Sequence, residues 1–245
     1  MITLQDKNIL VTGASQGIGR EIAISASKLG ATVTIVGRNV EKLQETISLL
    51  SGNGHKMQAV DLSNATDIDE LISQSLPYDG VIFNAGIVEY LPVKFLNESK
   101  IDAVFSVNFD SNVVLSQKLI KKKLLNKKAS LVFISSISSK LGVGGTAMYA
   151  ASKAALISFS KVLATELAPQ GIRSNSICPG IVKTAMTEQA SDAASEEELK
   201  KAELEYPLGY GEPSDVAGLV MYLLSDMSKW MTGSDLIIDG GFTLK

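Results

Sequence analysis

Between an apolar run, Asn8-Ile-Leu-Val11, and a segment carrying Ile18, Ile22, Ala23 and Ala26 at helical spacing lies Thr12-Gly-Ala-Ser-Gln-Gly-Ile-Gly19. Three glycines at a strand-to-helix junction leave few folds open. The backbone must turn sharply, and the new helix aims its positive end and unpaired amides back over the strand end. The alternation continues along the chain. Ala31 to Val36 is β-branched, ends in Gly37-Arg38, and is followed by Val40, Leu43, Ile47 and Leu50 at helical spacing. Met57 to Val60 leads to Asp61, Gly80 to Phe83 to Asn84-Ala-Gly86, Ser130 to Ile134 to Ser135-Ser136, and Asp235 to Ile238 to Asp239-Gly-Gly241. Strands alternating with helices predict an α/β fold: a doubly wound parallel sheet with helices on both faces. Ligands of such sheets bind beyond the carboxyl ends of the strands, where every one of these polar or glycine clusters falls.

No linker, repeat or low-complexity tract interrupts residues 1–245, so a single domain is expected. Apolar residues at 45% supply a core, and 23 basic against 26 acidic side chains give no general attraction to nucleic acid or anionic membrane. The opening residues do not read as a signal peptide, and no apolar run reaches membrane-spanning length. Cys178 is the single cysteine and His55 the single histidine, which excludes an internal disulfide and leaves almost nothing to ligate zinc. The expectation is a soluble, cytoplasmic chain with no metal, nucleic-acid or membrane partner.

The glycine turn suits a pyrophosphate, because amides at a helix start can face it and glycine permits close approach. The end of the second strand then selects the nicotinamide cofactor. An acidic residue there would bind an unphosphorylated ribose, whereas Gly37-Arg38 offers room and a guanidinium for a 2′-phosphate, with Ser15 as a second ligand. NADP(H) is therefore expected over NAD(H).

Further along, Tyr149-Ala-Ala-Ser-Lys153 places a phenol and an ammonium four residues apart on one helix face. An ammonium nearby favours the phenolate, which would bring the tyrosine towards general acid/base work on an alcohol or ketone. Ser136 stands thirteen residues before Tyr149, and Asn108 lies further upstream. The serine hydroxyl can hold a substrate oxygen, and the asparagine amide can tie the lysine to a water chain.

With these motifs in order, joined by Cys178-Pro-Gly180, Thr184 and the ending Thr232-Gly-Ser-Asp-Leu-Ile-Ile-Asp239-Gly-Gly, the chain resembles the short-chain dehydrogenase/reductase family from Asn8 to its end. The resemblance implies a Rossmann-type fold. It also implies that Tyr149 is the acid/base, that Lys153 tunes it and binds the nicotinamide ribose, that Ser136 positions the carbonyl oxygen and that Asn108 supports a proton relay. By the same resemblance Gly13, Ser15, Gln16, Gly17, Ile18 and Gly19 form the phosphate turn, and Gly37 and Arg38 the ribose end. Asp61 and Leu62 contact adenine, Asn84, Ala85 and Gly86 line the cofactor, and Pro179, Gly180, Ile181 and Thr184 close over the carboxamide. Gln16 departs from the basic residue that many NADP-dependent members carry there, and Phe83 from a frequent asparagine.

Within the family the nearest appearance is that of the 3-oxoacyl-acyl carrier protein reductases, so a small carbonyl or alcohol, with an acyl thioester as one class, is the expected substrate. Sugar or polyol dehydrogenases are the alternative, and a non-catalytic NADP(H)-binding regulator a remote one. Lys121 to Lys123 with Lys127 and Lys128 are a candidate docking patch near the cleft for an acidic carrier, although Gln170 stands where those reductases usually have arginine. Residues 184–210, with a capping box at Ser195 to Glu198 and Glu196–Lys200 and Glu197–Lys201 pairs, read as a lid. Small residues Ala150, Ala151, Ala154, Ala155 and Ser158 on the tyrosine helix suit a homodimer or homotetramer.

Overall fold

Seven parallel strands form one sheet in the order β3-β2-β1-β4-β5-β6-β7. They are β1 (Asn8–Thr12), β2 (Thr32–Gly37), β3 (Lys56–Ala59), β4 (Tyr78–Phe83), β5 (Leu125–Ile134), β6 (Arg173–Pro179) and β7 (Asp235–Ile238). The computed structural model describes residues 2–187 and 196–244. The chain builds outward from β1 to β3, then returns to lay β4 on the other side of β1. That reversal opens a crevice above the carboxyl ends of β1 and β4.

Alternate side chains feed two cores, as strands buried on both faces require. Ile9, Val11, Val33, Ile35, Ile82 and Val132 meet α1 (Gly17–Lys28), α2 (Val40–Ser48) and the later helix Pro213–Leu224. Leu10, Val36, Val81, Phe83, Leu131 and Phe133 meet α3 (Ala65–Ser73), a helix over Ser111–Lys121 and a long one over Ala147–Leu167. The Phe83 and Phe133 rings stack 4.3 Å apart on this second face. In chain order the remaining helices are α4 (Glu98–Phe105), α5 (Ser111–Lys121), α6 (Ala147–Leu167), α7 (Glu196–Glu203) and α8 (Pro213–Leu224). Among the described residues no helix is long and apolar enough to cross a membrane.

The doubly wound sheet matches the sequence expectation, with one strand unforeseen. β6 reads Arg-Ser-Asn-Ser-Ile-Cys-Pro, yet all seven residues are buried. Three of its polar side chains find partners that a local pattern does not reveal, while the Ser176 hydroxyl is buried without one. Arg173 donates to the Leu223 carbonyl at 2.7 Å, Ser174 and Ser160 share a 2.8 Å hydroxyl bond, and Asn175 bonds Met231 and Ser234. β5 also starts five residues earlier than expected, at Leu125 rather than Ser130, after a register shift beside β4.

Candidate active site

The phosphate turn is built by side chains as well as by glycines. Thr12 donates its hydroxyl to Ile82 O at 3.1 Å and accepts from the amides of Asn84 and Ala85. Asn84 returns two 3.1 Å bonds to the carbonyls of Thr12 and Gly13. Gly13 sits at φ 63°, and a Cβ there would stand 2.8 Å from Ala85 Cα, so only glycine lets the two loops meet. Gln16 precedes α1 without a side-chain cap, and the first turn holds no acidic residue. The leading amides of α1 are thus left for an anion at its positive end.

A cleft of about 290 Å³ runs from this turn. Arg38 lines it where β2 ends, and Asp61 and Leu62 where β3 ends. Bonds from the Ser63 hydroxyl (2.7 Å) and amide (3.0 Å) hold the Asp61 carboxyl below its ordinary pKa, with a smaller contribution from Arg38. The uncapped amides, the bare glycine backbone and the cation at the second strand end fit a dinucleotide.

At the other end of the cleft, α6 begins after Thr146 and carries Tyr149 and Lys153 one turn apart. Lys153 is 4% exposed; its ammonium donates to Ile134 O at 2.9 Å and lies 5.7 Å from the Tyr149 ring centre. Burial pushes its pKa down to about 8. Burial also raises the Tyr149 phenol above its ordinary value, and the hydroxyl of Ser136 offsets part of that. Withdrawal from water is thus the largest influence on the phenol in this geometry. Ser136 follows β5, caps the short turn Ile137–Ser139, and accepts from Ser138 N at 3.1 Å. Two neighbouring hydroxyls are committed elsewhere, with Ser135 donating to Lys153 O and Ser139 to Ser136 O.

Asn108 lies at 0% exposure in a π-helical turn, Ser106–Asp110, between α4 and α5. Its side-chain oxygen accepts from Ile87 N at 2.8 Å, and its amide donates to Ile87 O at 2.9 Å and Ser152 Oγ at 3.1 Å. The amide group expected to enter a water chain is therefore spent on holding the loop after Gly86. A Cβ on Gly86 would come within 3.1 Å of Lys153 Nζ and 3.3 Å of Asn108 Oδ1, so this glycine lets loop, lysine and asparagine close up.

The family model described as enoyl-(acyl carrier protein) reductase matches residues 13–243. The chain belongs to the short-chain dehydrogenase/reductase family. This short-chain dehydrogenase/reductase is 37% identical to the 3-oxoacyl-[acyl-carrier-protein] reductase of Rickettsia felis, over 100% of both chains. It is 36% identical to L-xylulose reductase of Caenorhabditis elegans, over 97% of this chain and 96% of that one. Among solved structures, a variant of actinorhodin polyketide ketoreductase with NADPH matches at a TM-score of 0.89 and 29% identity over 99% of each chain. Membership makes the chain an oxidoreductase, as the motif order implied.

Of the residues singled out in the sequence, Gly13, Ser15, Gln16, Gly17, Ile18, Gly37, Arg38, Asp61, Leu62, Asn84, Ala85, Gly86, Ser136, Tyr149, Lys153, Pro179, Gly180 and Thr184 all border the cleft of this dehydrogenase/reductase. Gly19, Ile181 and Asn108 stand behind its wall. A Cβ on Gly19 would strike Gly13 O at 2.3 Å, so its place is packing beneath the turn. Ile181 is 38% exposed and does not border the cleft, which Val182 lines instead. Sequence reasoning missed Thr12, Ile87 and Thr187. Thr187 bonds the carbonyls of Val182 and Thr184, a contact with no local signature. The lysines Lys121 to Lys123, Lys127 and Lys128 surround the start of β5, whereas Ser136 follows its end. The expected docking patch beside the cleft is thereby corrected: in this chain those charges lie at the opposite end of the sheet.

The capping box expected at Ser195 lies outside the described residues. Flanking segments are well tied: Lys183 N bonds Gly211 O at 2.9 Å and Gly211 N bonds Ile181 O at 3.0 Å. Tyr206, 6% exposed, stacks on Phe242 at 4.4 Å and receives a 3.3 Å bond from Ile181 N. The segment 183–210 therefore leaves and returns at one point beside Pro179 and Gly180.

Proposed function

We propose that the chain is an NADP(H)-dependent enzyme interconverting a ketone and a secondary alcohol, with Tyr149 as acid/base. The observation that carries this reading is one cleft bordered by Tyr149, Lys153 and Ser136 and, at its other end, by Arg38 beside the phosphate turn. The bound nicotinamide supplies or accepts the hydride. When the cofactor is bound, its pyrophosphate would be held by the first amides of α1, its 2′-phosphate by Arg38, its adenine by Asp61 and Leu62, and its carboxamide by Pro179 to Thr184. Ser136 donates a hydrogen bond to the substrate oxygen and sets its orientation. Tyr149 gives its proton to that oxygen in reduction and takes one back in oxidation. Burial keeps the phenol protonated near neutral pH, the state that reduction requires. Lys153 stabilises the phenolate left behind, and Asn108, whose side chain is committed to Ile87, fixes the loop that packs beside the lysine.

The mouth favours an apolar substrate. Ile87, Val107 and Met186 line the cleft, while Tyr90 is 56% exposed and near enough to influence Tyr149. Leu91 N bonds Gly145 O at 2.7 Å, which draws the loop bearing Tyr90 against the one bearing the exposed Val143. An acyl chain matches such a rim, and a ketose would leave hydroxyls unpaired against it. The 3-oxoacyl and polyketide activities named for similar proteins support the same class. NADPH oxidation against acetoacetyl thioesters, simple diketones and ketoses tests it. Faster turnover of thioesters and diketones is expected, and a preference for ketoses would replace this reading with the polyol one.

A further inference from the structure

Arg38 is not the only cation at the ribose end of the cleft. Lys42, in the first turns of α2, reaches across to α1 and donates to Gln16 Oε1 at 2.6 Å. Gln16 and Arg38 both line the cleft, so the contact draws a second positive charge to the corner formed by Ser15, Gln16, Gly37 and Arg38. The corner is not tightly packed: a Cβ on Gly37 would meet Leu43 at 3.4 Å and the Ser15 side chain at 3.5 Å, ordinary contact distances.

The charges around the corner are arranged to leave these two cations uncompensated. Glu45, one turn along from Lys42, is taken by Arg20 at 2.8 Å, and the same Arg20 nitrogen donates to Ser15 O at 2.6 Å. Among the described residues no carboxylate lies within ion-pair distance of Lys42 or Arg38. Asp61 feels Arg38 only at longer range, and its carboxylate is engaged by Ser63. Two unpaired cations with a hydroxyl and a neutral amide between them suit a phosphomonoester dianion rather than a ribose diol.

We propose that Lys42, tied to the cleft-lining Gln16, is a specificity-determining residue that binds the 2′-phosphate of NADP(H) together with Arg38. Gln16 thereby does indirectly what a basic residue at its own position would do directly. The inference rests on the cofactor reading above, and its test separates the two. kcat/KM for NADPH and NADH, and the affinity for adenosine 2′,5′-bisphosphate, are measured for wild type, Lys42→Gln, Lys42→Arg and Arg38→Gln.

Wild type is expected to favour NADPH. Lys42→Gln should lower the NADPH-to-NADH ratio and the bisphosphate affinity about tenfold, as loss of one charge-assisted bond does. Lys42→Arg should restore most of both, and added salt should shrink the difference between wild type and Lys42→Gln. If wild type favours NADPH and Lys42→Gln keeps its ratio and bisphosphate affinity while Arg38→Gln loses them, the role of Lys42 is overturned and the cofactor reading stands. Equal losses toward both cofactors in Lys42→Gln would also overturn it, showing a part in folding the turn. A wild type that favours NADH overturns the cofactor reading and this inference with it.

Discussion

Lys153 shows what the site costs at the level of one residue. Its ammonium is withdrawn from water with a single carbonyl as partner, and its pKa falls from 10.5 to about 8. Below pH 8 both folded and unfolded chains hold the proton, so the folded state bears the whole penalty of a buried charge, about 3 kcal/mol by linkage. Between about 8 and 10.5 the unfolded chain binds more protons, so that penalty fades as pH rises. Lys153→Met removes the charge and leaves the Ile134 carbonyl unpaired at a cost of about 1 kcal/mol. The variant should be more stable than wild type by about 2 kcal/mol at pH 7, with the gain gone near pH 10, while losing activity. Urea unfolding at the two pH values checks this. A less stable variant at pH 7 would mean the ammonium is better solvated than its burial indicates. The pairing of Tyr149 with Lys153 was legible from spacing alone, but the direction of the phenol's shift was not, because burial is a property of the folded cleft.

At the scale of elements, the strands that read plainly were those whose two faces both meet helices, giving continuous apolar runs such as Ile9 to Val11. β6 did not, because its buried Ser174 and Asn175 are satisfied by α6 and by the loop around Met231 to Ser234, far away in sequence. The π turn at Asn108 was equally hidden, since its bonds run to the loop after β4. Residues 184–210 read in the sequence as a lid, but how their ends are anchored was not legible there. Tyr206 carries that anchorage by stacking on Phe242 and accepting from Ile181 N. Tyr206→Ala should cost about 3 kcal/mol and raise the KM for cofactor, whereas Tyr206→Phe, which keeps the stack, should cost about 1 kcal/mol. Equal effects of the two changes in unfolding and steady-state kinetics would show that the stack contributes nothing.

For the whole molecule, the order of strands places every functional loop at one end of the sheet, and the alternation read from the sequence was enough to foresee that. Assembly is the level at which sequence says least, since a stripe of small residues on α6 marks a surface without naming what meets it. Ala151, Ser158 and Val162 are exposed along that helix, and a dimer or tetramer pairing it across a two-fold axis is the expected arrangement. Light scattering at micromolar concentration should give a multiple of 26.0 kDa, and the single-chain mass would contradict it. The central claim, that one chain joins a nicotinamide cleft to a tyrosine proton donor, is tested most directly by Tyr149→Phe. NADPH affinity by fluorescence titration should stay within about twofold of wild type, while ketone-dependent NADPH oxidation should fall at least about a hundredfold. Substantial turnover remaining in Tyr149→Phe, with cofactor bound normally, would contradict the account.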